Sequence, residues 1–118
     1  MHKLSFLLAL ALTVLFLPGC TAQSAQAQDP VQTNQVTMPP SYRFDPKSIQ
    51  VKVGDTVTWT NKDNFTHDVH VLGGIDWKSE PLRPGESASY TFTKAGQFPY
   101  VCDFHSQDMK GEVIVLEK

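Results

Sequence analysis

Apolar and polar residues alternate in short runs along the last two thirds of this chain. Ile49, Val51 and Val53 alternate with polar residues until Gly54-Asp55 breaks the run, and Val57 and Trp59 alternate with threonines through Thr60. Val69 and Val71 precede Gly73-Gly74, while Ala88, Tyr90 and Phe92 alternate with Ser and Thr until Gly96. Phe98, Tyr100 and Cys102 share one parity, and Val113 and Val115 mark the last stretch. Period-two patterning in short runs punctuated by Gly and Pro predicts antiparallel strands with one solvated face. Several such runs in a small domain predict an all-β fold, a small antiparallel Greek-key β-sandwich. No stretch holds a 3.6-residue period, and residues 76–82 have room for a helical turn at most. Pro99 interrupts its run and suits an edge or a bulge, because proline brings no ladder donor.

The first residues read differently. Met1, His2 and Lys3 give a short positive start, and residues 4–17 are apolar except for Ser5 and Thr13. As a helix that run would rise about 21 Å, short of the roughly 30 Å hydrocarbon core of a bilayer. It reads as a secretory signal rather than a membrane span. Leu17-Pro18-Gly19-Cys20 resembles the bacterial lipobox, and that resemblance implies a signal peptide over 1–19 and a lipidated Cys20. Residues 21–35 hold five glutamines, one charge and no aromatic, so they cannot offset their ordering entropy by burial. The expected organisation is therefore a signal at 1–19, a lipidated cysteine and flexible tether at 20–35, and one β domain at 36–118.

Composition narrows the function. At 118 residues, 41% of them hydrophobic, with net charge −2, the chain suits one globular domain. With no basic run, nucleic acid is not an expected partner. Two cysteines are too few for a disulfide scaffold, and a lipidated Cys20 would leave Cys102 unpaired in an oxidising compartment. Metal ligation is the first explanation for such a thiol. No glycine-rich phosphate loop and no paired carboxylates stand out, and a cysteine hydrolase would need a cleft and oxyanion donors that nothing here advertises. The expectation is that the chain is not an enzyme.

The chemistry gathers in one loop, Cys102-Asp103-Phe104-His105-Ser106-Gln107-Asp108-Met109, which holds a thiol, an imidazole and a thioether. Upstream, His67 shares the parity of Val69 and Val71 and is expected to point inward. Cys102 likewise shares the inward face of Phe98 and Tyr100. His70 and Asp68 have the opposite parity and are expected to face solvent. Two imidazoles, a thiolate and a weak thioether are the donor set of a mononuclear blue-copper site. A structural zinc site would more often use four strong Cys or His ligands.

Taken together, Phe44-Asp45-Pro46, the stretch from Val53 to Asn61, the stretch from Phe65 to His70 and the loop from Cys102 to Met109 resemble the cupredoxins. Within that family they look most like the amicyanin and plastocyanin branch. The resemblance covers residues 36–118 and implies one type 1 copper ion held by His67, Cys102 and His105, with Met109 as a long axial ligand. It also implies a redox role as an electron carrier. Three departures from the family pattern stand out: Thr66 where Pro is common, Asp68 where Asn ties the ligand loops together, and Phe104 where related loops carry Pro. An aspartate can accept hydrogen bonds but has no amide proton to donate. Phe104 restores a backbone N–H beside the sulfur.

The resulting expectation is a monomer that carries electrons between a donor and an acceptor redox protein. A lipid anchor would hold it at an extracytoplasmic membrane surface, periplasmic or on the outer face of the cell. The alternative is a copper-delivery protein using the same site without a shuttle role, and a third reading is an interaction module in which Cys102 is incidental. Asn61 is a candidate for pinning the ligand loop. Phe65, Leu82 and Pro84 are candidates for an apolar rim around His105, where a partner would dock.

Overall fold

A computed structural model describes Gly19 and residues 28–118. Apart from Gly19, the proposed signal segment lies outside the described residues, as does Cys20. The strands are β1 (Val31–Gln32), β2 (Gln35–Met38), β3 (Ser48–Lys52), β4 (Thr56–Asn61), β5 (His70–Val71), β6 (Trp77–Lys78), β7 (Ser87–Thr91), β8 (Gly96–Val101) and β9 (Lys110–Leu116). They form two sheets, one in the order β1-β3-β9-β8-β5-β6 and one in the order β2-β4-β7. Among the described residues the only helix is a single 3-10 turn, Asp103–His105. The stretch at 76–82 holds β6 rather than a helical turn.

Alternation puts the expected side chains inside. Ile49, Val57, Trp59, Val69, Val71, Phe92, Tyr100 and Val113 are all fully buried between the sheets. Two expectations change. The sheets are mixed, since β1–β3, β2–β4 and β3–β9 run parallel. Alternation reports which face is buried and says nothing of strand direction. The ordered domain also begins before residue 36: Val31 pairs with Ile49, and Gln35 with Thr58. These exposed residues join the sheets through backbone bonds, which composition does not register.

Pro99 lies inside the larger sheet, opposite Glu112 of β9. Its carbonyl accepts the Leu72 N–H at 2.8 Å, just beyond the end of β5. The ladder donor that proline lacks falls where its neighbouring strand has stopped.

Tyr100 faces Gly111 across the β8–β9 ladder. A Cβ at Gly111 would meet the Tyr100 ring and hydroxyl at 2.5 Å, so only glycine lets the ring lie there. Gly111→Ala is expected to destabilise the metal-free protein by about 2 kcal/mol through overpacking, measured by urea unfolding. A change below about 0.5 kcal/mol would show that the ring is free to move aside.

Candidate metal centre

The backbone delivers three donors to one end of the sandwich. Cys102 follows the last residue of β8, so the strand aims its side chain into the core end. His67 is held by a two-way backbone bridge with Leu82, in which each N–H donates to the other's carbonyl, at 3.1 and 2.7 Å. His105 ends the 3-10 turn that leaves Cys102. The sulfur of Cys102 lies 3.7 Å from Nδ1 of His67 and 3.7 Å from Nδ1 of His105. All three donor atoms sit within 4.8 Å of one another.

This triangle fits a single ion. Metal–nitrogen and metal–sulfur bonds of about 2.0 and 2.3 Å, arranged trigonally, place nitrogen and sulfur about 3.7 Å apart. Soft sulfur beside imidazole suits copper better than a hard cation. Met109 is fully buried and closes the loop. Its N–H donates to the His105 carbonyl at 2.9 Å, and its carbonyl accepts the Cys102 N–H at 3.1 Å. Cys102 and His67 are also fully buried, whereas His105 is partly open to solvent.

The tautomer of His67 follows from its surroundings. Its Nε2 stands 2.9 Å from Oδ2 of the buried Asp63. A carboxylate only accepts, so Nε2 carries the proton and the Nδ1 lone pair is left facing the sulfur. The bond from His67 in turn holds the Asp63 carboxyl below its usual range. Asn61 anchors this segment. Its side-chain N–H groups donate to the carbonyls of Phe65 and Leu82 at 2.7 and 2.9 Å, and its oxygen accepts the Asp63 N–H at 2.9 Å.

The sulfur has its own donors. The Asp68 N–H reaches it at 3.5 Å. Burial pushes the Cys102 thiol up, while the Asp68 and Phe104 amides pull it back down. The Phe104 N–H is one that a proline at this position would lack. Asp68, expected at the surface, is buried at 1% exposure. The reason is a bond rather than an apolar contact: Oδ1 of Asp68 accepts the Asp103 N–H at 2.7 Å, which ties the two ligand segments together. His70 does lie at the surface, with Nδ1 3.1 Å from Oδ1 of Asp103.

The rim differs from expectation. Phe65 and Pro84 are exposed as expected, but Leu82 is buried and meets His67 through their backbone bridge. The ring beside His105 is that of Tyr42. Its ring lies 4.4 Å from the His105 ring and stacks on Phe65 at 5.7 Å. Phe104 adds a further exposed ring. Asp63, Tyr42 and Lys78 are site residues that sequence reasoning missed. Only Asp63, four residues before a ligand histidine, left a local signal.

Fold and site together are those of a cupredoxin-type protein with one candidate copper centre. The chain belongs to the family described as the cupredoxin-like domain, whose pattern matches residues 7–115. It is 39% identical to amicyanin of Paracoccus denitrificans over 77 residues, covering 62% of this chain and 58% of that protein. It is 31% identical to amicyanin-alpha of Methylorubrum extorquens over 122 residues, covering 98% of this chain and 99% of the other. Among solved structures, a purple cupredoxin from Nitrosopumilus maritimus superposes with TM-score 0.64 at 28% identity, covering 70% of this chain and 98% of that one. A Cu-containing nitrite reductase from Thermus scotoductus superposes with TM-score 0.65 at 33% identity, covering 82% of this chain and 25% of that one.

Asn61→Ala would leave the Phe65 carbonyl and the Asp63 N–H without partners and take from the Leu82 carbonyl the second of its two donors. The expected loss is about 3 kcal/mol in urea unfolding of the metal-free protein. A loss under about 1 kcal/mol would mean that the segment is held by other contacts.

Proposed function

We propose that this protein is a type 1 copper protein that carries single electrons between a donor and an acceptor redox protein and catalyses no reaction of its own. The observation that carries the reading is the triangle of Nδ1, Nδ1 and Sγ, already spaced for one ion. His67, Cys102 and His105 would hold the copper, with Met109 as a weaker fourth donor. When bound, the copper supplies a one-electron couple. The rest of the work belongs to the chain.

Asp63 orients His67, Asn61 fixes the loop that carries Asp63, and Asp68 holds the sulfur and the second ligand segment in place. Such a network keeps the ligands from moving when charge changes, which is what a fast carrier requires. His67 is sealed in the core, so His105 is the ligand that a partner can approach. Tyr42, Phe65 and Phe104 give that approach an apolar, aromatic face. The carrier works outside the cytoplasm, held to a membrane by lipid on Cys20. That placement rests on the lipobox-like Leu17-Pro18-Gly19-Cys20 and agrees with a buried thiol that has no disulfide partner among the described residues. Among those residues no helix is long and apolar enough to cross a membrane. In solution the folded domain is a monomer.

Copper-loaded protein should show an intense thiolate-to-copper band and a reversible one-electron couple, and Cys102→Ser should abolish both. A serine variant that kept the band would remove Cys102 from the ligand set. Ready exchange of the ion with a chelator, without a reversible couple, would favour copper delivery instead. Phe104→Pro would delete an N–H that lowers the charge on the sulfur. Amide donors to the sulfur withdraw charge from it and favour the reduced ion, so the variant is expected to have a lower midpoint potential in protein-film voltammetry. An unchanged or higher potential would contradict this role for the amide.

A further inference from the structure

Lys78 of β6 lies directly across the ladder from His70 of β5, and His70 lies across from Val101 of β8. This register brings both side chains to Asp103, the residue after the ligand Cys102. Nζ of Lys78 is 2.6 Å from Oδ2 of Asp103, and Nδ1 of His70 is 3.1 Å from its Oδ1. The same ammonium is 3.3 Å from Oδ2 of Asp68. Asp68 gives its other carboxylate oxygen to the Asp103 N–H and its own N–H to the sulfur. Lys78 touches none of the four proposed ligands, yet it bonds to both residues that join the segments carrying them.

The charges explain why a cation belongs there. A buried carboxylate is costly unless it is paired and hydrogen-bonded. Asp68 is buried, and Asp103 adds a second negative charge close by. Asp68 cannot donate from its side chain as an amide would, so one of its oxygens needs a donor from elsewhere. The Lys78 ammonium supplies both donor and charge. Its bonds to Asp103 and then to Asp68 raise its pKa, so it stays charged at neutral pH.

We propose that Lys78 is a positioning residue of the metal centre, clamping Asp68 and Asp103 so that the Asp68 amide stays on the Cys102 sulfur and the ligand loop keeps its place. The inference rests on the copper reading above for its electronic consequence, whereas the clamp itself can be read in the metal-free protein. A positive charge near the ion disfavours its oxidised state, so Lys78 raises the midpoint potential. The lysine side chain is 49% exposed, and solvent screening limits the effect.

The test compares the full chain with Lys78→Gln, Lys78→Arg, Asp68→Asn and the Asp68→Asn/Lys78→Gln double variant. In copper-loaded protein, Lys78→Gln should shift the ratio of oxidised to reduced protein roughly threefold toward the oxidised form at a fixed mediator potential. In metal-free protein it should speed hydrogen exchange at the Asp103 amide, the proton that Asp68 holds. Lys78→Arg should restore both readings. In the Asp68→Asn background, Lys78→Gln should change the Asp103 exchange rate far less, because the clamp no longer has its buried carboxylate. Unchanged potential and unchanged exchange in Lys78→Gln would overturn the proposal. So would an equal exchange effect in the Asp68→Asn background, since Lys78 would then act without Asp68. Absence of any thiolate-to-copper band in the unmodified chain would sink the copper reading instead, and the exchange comparison would still decide the clamp.

Discussion

Two stretches of chain thirty-five residues apart meet at the Cys102 sulfur, and Asp68 holds them there. Its amide donates to the sulfur from one stretch, and its carboxylate accepts the Asp103 N–H from the other. It is a direct side-chain link between the two segments. It fastens the segment of His67 directly to the turn that bears His105, next to the β5–β8 ladder that aligns their strands. The β-sandwich contributes by ending β8 one residue before Cys102, while Asn61 and the Leu82 bridge fix the strand-like segment of His67.

The site pairs a rigid interior with an accessible edge. His67, Cys102 and Met109 are sealed, and the buried Asp63 selects the tautomer of His67, so this side of the centre has little freedom to relax. His105 stands at the surface beneath Tyr42. Ser41 and Tyr42 both adopt left-handed backbone conformations, φ 89° and 51°, in the turn that carries the Tyr42 ring. An ion held in this way would gain its stability from the side facing the core and leave the other side open to solvent.

Much of this was legible in the sequence, for identifiable reasons. Alternation located β3, β4, β7, β8 and β9, because each buries one face and exposes the other. The same parity put His67 and Cys102 inside, and the spacing from Cys102 to His105 and Met109 marked the loop. Alternation could not show that β3 runs parallel to β9, nor find β1 and β6, which are two residues long. Asp68 was misplaced because parity counts apolar faces, and this side chain is buried by hydrogen bonds just before β5 begins. Tyr42 and Lys78 were invisible for another reason. Their roles come from tertiary approach, with no periodic or local signal to announce it.

The most direct test of the account is a high-resolution structure of the copper-loaded protein set against the metal-free one. The account predicts one ion bound by Nδ1 of His67, Nδ1 of His105 and Sγ of Cys102, with these atoms displaced by no more than about 0.5 Å between the two states. An ion bound elsewhere, or one bound through Nε2 of His67 after the Asp63 contact breaks, would contradict it.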